Sequence, residues 1–347
     1  SASDYNNSSA CSNLGIHDDI PVDVEKLQKI TQASEKAALS NPKITNSEGA
    51  SSSYAKSNIT IATSNGFINS YSKTRFTSSV SVIAGKDGHM ETDYDYSVAC
   101  NMSDLKNSYL IGENAAKRAI AKLNAKKIKT CKAPVIFENR AAGNFLRSFI
   151  SGINGTNVAN GTSFLSSYLG KQIFSQKINI VDDPLLFKGV ASRPFDGEGI
   201  SGSRNIVVKN GVLNSWLLNL RTAKQLKLKT TGNATRDSNA SISVGASNFH
   251  IENGDKSLKD LLSEIKYGMF ITELFGFGVN LTTGDYSQGA SGFLIENGEI
   301  TYPVHEITVA NNLISMFQNL EAANDLEFVG SINSPSLKID GMTIAGI

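Results

Sequence analysis

Three cysteines in 347 residues are too few and too odd in number for a disulfide framework, and Cys11, Cys100 and Cys131 form no Cys-x-x-Cys pair. They read as reduced thiols. Long apolar runs are missing too: stretches such as Trp216 to Leu218 or Met269 to Ile271 fall far short of the ~20 residues of a membrane span. The opening SASDYNNSSA has neither a basic start nor an apolar segment of the export type, so a cytoplasmic location is expected. Net charge of one sign is also scarce, with 33 Lys and Arg against 32 Asp and Glu. That balance provides no overall field for nucleic acid or anionic membranes, and neither is expected as a partner. What is present, 40% apolar residues, suits a globular chain long enough for two cores.

After a polar opening, Val24, Leu27, Ile30 and Ala37 recur at helical spacing behind Pro21. From Ser57 the period changes. SNITIAT, GFINSYSK, RFTSSVSVIA and HMETDYDYSV read as four short strands of an antiparallel meander, the first two joined by a tight Asn65-Gly66 turn. A helix from Gly112 to Asn124 follows, and Lys126, Lys127 and Lys129 suit a linker, placing a boundary near Thr130. The second half opens with a buried strand, Ala133 to Phe137, and a helix carrying Phe145, Leu146, Phe149 and Ile150. Hairpins are expected at Asn210-Gly211, Asn297-Gly298 and Asp340-Gly341, and helices near Ser257 to Tyr267, with Ser257 and Asp260 as a capping box, and Ala310 to Glu321. The fold class is therefore α+β: residues 1–130 a mixed domain with an antiparallel sheet, residues 131–347 a mostly-β domain with a few helices.

Motifs for chemistry are sparse. His17, His89, His250 and His305 are the only histidines, and His305-Glu306 fails to continue as HExxH because Val309 stands four residues on. His89, Glu91, Asp93 and Asp95 alternate along one strand face. Neighbouring same-face side chains are ~6.6–6.8 Å apart, too far for one strand to wrap an ion, so a solvated face with Met90, Thr92, Tyr94 and Tyr96 packed inward is expected. Gly197, Gly199 and Gly202 have GxGxxG spacing but precede a hairpin, which points to a turn. No phosphate loop or nucleophile elbow is present.

Several runs of the second half resemble the PmbA/TldD family, also called TldD/TldE, and within it the PmbA branch. They are APVIFENRAAG, SFLSSYLGKQIF, DDPLLFKGVASRPFDGEG, KNGVLNSWLLN, LKTTGNATR, the stretch from Thr272 to Leu313, and SPSLKIDGMTIAG. KITNSEGASSSYAKSNITIATSNGF and METDYDYS resemble it more loosely, and by that likeness the N-terminal domain looks shortened at its start. The resemblance implies a barrel-like second domain and a cytosolic zinc protease built from two related subunits, in which the TldD-type partner alone carries zinc through an HExxxH helix. The corresponding helix here would place Arg147, Ser148 and Gly152 roughly at the motif positions, and no His, Asp, Glu or Cys occurs between Glu138 and Asp182. Neither a catalytic nor a metal-ligating residue is expected in this chain.

The resemblance thus implies a metal-free subunit whose partners are a TldD-type catalytic chain and unfolded or extended peptide, with a homodimer expected in isolation. Two loops are candidates for the cavity or interface, one with Arg193, Asp196, Glu198 and Gly199, the other with Gly284, Asp285, Tyr286 and Ser287. Two alternatives are a stand-alone peptidase using the His89 to Asp95 face, and a non-enzymatic peptide binder.

Overall fold

The computed structural model of the protein describes residues 13–86, 88–237, 239, 241–276 and 278–347; Cys11 and the polar opening lie outside them. The first helix, α1 (Val24–Leu39), starts after Asp23, whose carboxylate accepts the N–H of Lys26 at 2.7 Å. Three strands follow in an antiparallel sheet ordered as in the sequence: β1 (Ile44–Ala62), β2 (Ile68–Lys86) and β3 (His89–Ala99). The four expected strands are thus three, because GFINSYSK and RFTSSVSVIA run on as β2. Nothing at Lys73-Thr74 breaks the strand: Thr74 is buried and its hydroxyl donates to Cys100 O at 2.7 Å while accepting Asp18 N at 2.8 Å. Ala62 pairs with Ile68, so Asn65-Gly66 sits inside a longer loop and not in a two-residue turn. Helix α2 (Ser108–Ala121) begins and ends a turn earlier than the expected Gly112 to Asn124, capped by Asn107. It crosses α1 at Gly112, where a Cβ would lie 2.2 Å from Ser34 O.

Beyond it come β4 (Cys131–Phe137), α3 (Asn139–Gly152) and α4 (Gly155–Ala159), then β5 (Ile180–Asp182), β6 (Asn205–Lys209), β7 (Val212–Leu213) and α5 (Leu220–Leu226). The chain continues through β8 (Ala234–Arg236), β9 (Ile242–Val244), β10 (Phe249–Ile251), α6 (Leu258–Ser263), β11 (Tyr267–Phe275), β12 (Asp285–Glu296) and β13 (Glu299–Asn312). It ends with α7 (Leu313–Gln318), β14 (Leu320–Ala322), β15 (Ile332–Asn333) and β16 (Leu337–Ala345). Strands β13, β12, β11, β4 and β16 form a ring closed by Thr308 against Ala345, with β14 added to β16. This closed five-stranded barrel bears out the α+β expectation with a barrel-like second half. A second sheet, ordered β15, β10, β5, β6, β7, stands beside it.

Asn210-Gly211 and Asn297-Gly298 do make two-residue hairpins, all four residues at positive φ. Asp340-Gly341 lies within β16, where it bulges the strand between Ile339 and Met342 instead of reversing it. The expected helix over Ala310 to Glu321 shrinks to α7, because β13 runs to Asn312 and pairs with β12. Ser257 and Asp260 form the capping box of α6, which ends at Ser263.

Helix α3 organises the core. Its apolar side buries Phe145, Leu146 and Phe149, and these meet Phe137, Phe174, Phe249 and Phe317. Most ring pairs are edge-to-face, Phe149 standing 5.5 Å from Phe317 at 85°. Among the described residues no helix is long and apolar enough to cross a membrane.

Candidate functional site

The opposite side of α3 faces a charged cleft shared with β3, α2 and β11. Glu138 follows β4 and is the N-cap of α3, but its side chain caps nothing; it turns to Arg140 Nε at 3.2 Å. The Arg140 guanidinium reaches Asp93 Oδ1 of β3 at 3.1 Å and lies 5.5 Å over the ring of Tyr94. Lys122, at the C-terminal end of α2 where the helix dipole favours a cation, bridges Asp93 Oδ2 at 3.0 Å and Glu273 Oε2 at 2.7 Å. Glu273 is turned into the cleft by a bulge in β11 opposite Gly292, whose Cβ would sit 2.0 Å from Phe270 O. One turn of α2 back, Arg118 holds Asp95 Oδ1 at 2.8 Å, and Asn114 donates to Asp95 Oδ2 at 3.0 Å.

These side chains also close a sheet edge. The outward carbonyl of Thr92 accepts from Lys122 Nζ at 2.9 Å, and that of Tyr94 from both Arg118 and Arg140 at 3.3 Å. Burial alone would raise the Asp93 carboxyl and lower Arg140 and Lys122. The ion pairs win: Lys122 and Arg140 together hold Asp93 below the usual carboxylate range, and both cations are pushed up, Arg140 by Glu138 and Asp93, Lys122 by Asp93 and Glu273.

The strand face is the reverse of the sequence expectation. Asp93 and Asp95 are buried, whereas Met90 and Tyr94 are 58% and 45% exposed. An acid so placed costs several kcal/mol unless paired, and the cations of α2 and α3 supply the pairing that one strand's sequence cannot show. Of the three positions read as the motif remnant, Arg147 lines the outer part of the cleft, Ser148 is buried, and Gly152 packs against Phe164 and Leu165.

The two candidate loops lie elsewhere. Asp196 is buried and accepts the N–H groups of Glu198, Ile200 and Ala234, while Gly199 takes φ 84° and Glu198 accepts Leu220 N at the start of α5. Arg193 donates to Gly232 O at 3.3 Å. Gly284 takes positive φ in the turn before β12, Asp285 and Ser287 open that strand, and Tyr286 is buried against Phe145. Lys122, Glu138, Arg140 and Glu273 escaped the sequence reading because they come from three separate segments; Glu138-x-Arg140 between two apolar runs was the available signal.

Residues 130–346 match the family model described as the PmbA/TldA metallopeptidase C-terminal domain, and residues 17–123 match the central domain of the same family. The chain belongs to the PmbA/TldD family. Within it the PmbA branch is indicated by 39% identity to the metalloprotease PmbA of Escherichia coli O157:H7, over 93% of this chain and 70% of that protein. A PmbA homologue of Haemophilus influenzae is 36% identical over 94% of this chain and 71% of its own. Among solved structures, a protein of Bacteroides thetaiotaomicron named for modulation of DNA gyrase superposes with TM-score 0.91 at 29% identity, covering 100% of this chain and 77% of that one. TldE of Thermococcus kodakarensis shares the fold, with TM-score 0.84 at 23% identity over 94% and 75%.

The family's metallopeptidase name poses the question of a metal, and the donor set here does not fit one. The cleft side of α3 offers the amides of Asn139 and Asn144 and the guanidiniums of Arg140 and Arg147. Asp93, Glu138 and Glu273 are already matched with fixed cations, and among the described residues no group of three or more His, Cys, Asp or Glu is arranged to hold an ion.

Proposed function

We propose that this PmbA-type chain is the metal-free subunit of a two-component TldD/TldE protease of the cytoplasm. It closes a chamber around unfolded or extended peptide while a TldD-type partner carries zinc and the hydrolytic chemistry. The observation that supports this most is the cleft on α3, where Arg140 and Lys122 supply positive charge to Asp93, Glu138 and Glu273. A divalent ion would have to displace two built-in cations from buried or half-buried carboxylates, which the pairing opposes. A 26% identical relative over 75% of this chain is a metalloprotease TldD homologue of Buchnera aphidicola, so the two subunit types share ancestry. Without its partner the chain pairs with a second copy.

The test is reconstitution. The chain is purified alone and together with the HExxxH-bearing TldD-type chain of the same genome, then assayed for zinc by mass spectrometry, for mass by light scattering, and for cleavage of an unfolded fluorogenic peptide. The expected result is a zinc-poor, inactive homodimer and an active mixed assembly carrying zinc in the partner. Peptide cleavage by the isolated chain, or full activity of the partner without it, overturns the reading.

A further inference from the structure

Outside the ion-pair network the cleft continues into a groove of about 180 Å³ between β3, α3 and the segment around Asn333. Its cations divide into two groups. Arg118 and Arg140 are spent on Asp95, Asp93 and Glu138. Arg147, two turns along α3 from Arg140, and Lys106 also line the groove, and among the described residues neither side chain has a carboxylate partner. Glu327 is the groove's one acid outside the network. The 14-residue α3 points its N-terminus at the same space, with Asn139 and Arg140 on the wall and no side chain capping its first N–H groups. The groove is therefore short of negative charge.

Its other wall is a sheet edge, open at one end only. The carbonyls of Thr92 and Tyr94 point away from β2 and are taken by Lys122, Arg118 and Arg140. The strand's two-residue period turns the main-chain groups of Tyr96 the same way, and Tyr96 lies in the groove with its ring stacked 6.1 Å from that of Tyr94. An extended segment can add to β3 at Tyr96 but is stopped at Tyr94, so it must end there. A chain end in a groove lined by Arg147 and Lys106, neither with a carboxylate partner among the described residues, is favoured as a carboxylate and disfavoured as an ammonium.

We infer that this groove is a subsite for the C-terminal carboxylate of an extended peptide, with Arg147 as the principal charge partner. It deepens the peptide-guiding role proposed above and rests on it.

Fluorescence anisotropy of the full chain tests this with an N-terminally labelled hexapeptide of Ala, Gly and Ser. Three versions are used: the free acid, the C-terminal amide, and the amide with an internal Glu. The free acid is expected to bind about tenfold tighter than either amide. Arg147→Gln, at an exposed position, abolishes that preference, Arg147→Lys retains part of it, and Glu327→Gln enlarges it. Equal binding of acid and amide, a Glu-bearing amide that matches the acid, a preference that survives Arg147→Gln, or no binding at all overturns the subsite. Stimulation of the TldD-type partner is read separately, so loss of the subsite and loss of the subunit role are distinguishable.

Discussion

Helix α3 shows two ways of being buried. Its lower side is ring against ring, Phe145 and Phe149 among Phe137, Phe174, Phe249 and Phe317, and no charge enters that packing. The upper side is charge against charge, and Arg140 is worth having only because Asp93 and Glu138 are in place. One side tolerates imperfect partners; the other does not, since a lone buried charge costs more than the whole pair gains.

Breaking the aromatic side should cost the most. Phe149→Ala is expected to lower stability by about 4 kcal/mol, seen as a shift in the urea midpoint without a change in slope. A drop under about 1 kcal/mol would show that the ring cluster is loosely packed. On the charged side, Arg140→Ala leaves Asp93 with Lys122 alone and should cost about 3 kcal/mol. The sharper experiment is the double replacement Arg140→Met with Asp93→Leu: if pairing and not packing holds this side, the double variant is more stable than Arg140→Ala. A double variant less stable than that single one reverses the account.

The same contrast explains what was legible beforehand. The helix α3 and two of the four expected tight turns follow from apolar period and Asn-Gly pairs, because those signals are local in the chain, whereas the closing of the strands into a barrel is implied only by the family resemblance. The Asp340-Gly341 bulge and the continuity of β2 were hidden, since pairing partners far off in sequence decide them. The cleft was legible only as an anomaly. METDYDY stands out in the sequence for its acids, but the direction they face is set by Lys122, Arg118 and Arg140, which no strand period encodes. Family likeness singles out α3, yet of Arg147, Ser148 and Gly152 it is Arg147 that lies in the cleft.

Acid separates two smaller effects. His250 is buried against Phe328, and burial lowers its pKa below the usual 6.5 despite Asn248, Glu252 and Asp183. The unfolded chain then takes up the proton more readily, so stability falls as pH drops below 6.5 through the folded value. Asp93 is held below 3.8, so its contribution is complete above 3.8 and lost as pH falls through its own folded value. Urea midpoints against pH should fall in two stages. His250→Gln is expected to flatten the first and spare the second, and Asp93→Asn to flatten only the second. A single stage untouched by either variant would mean that other groups carry the acid response.

The smallest effect calibrates the charged side. Lys177 and Asp255 are 3.1 Å apart but 64% and 79% exposed, so solvent screens them and both side chains lose freedom in pairing. Lys177→Ala should change stability by less than about 0.5 kcal/mol, and raising salt to ~1 M should erase what remains. Salt should alter the cost of Arg140→Ala far less, because Asp93 and Arg140 are 4% and 14% exposed. If the two variants respond to salt alike, the cleft is wetter than its geometry indicates, and its fixed cations are too weakly held to keep out a metal ion.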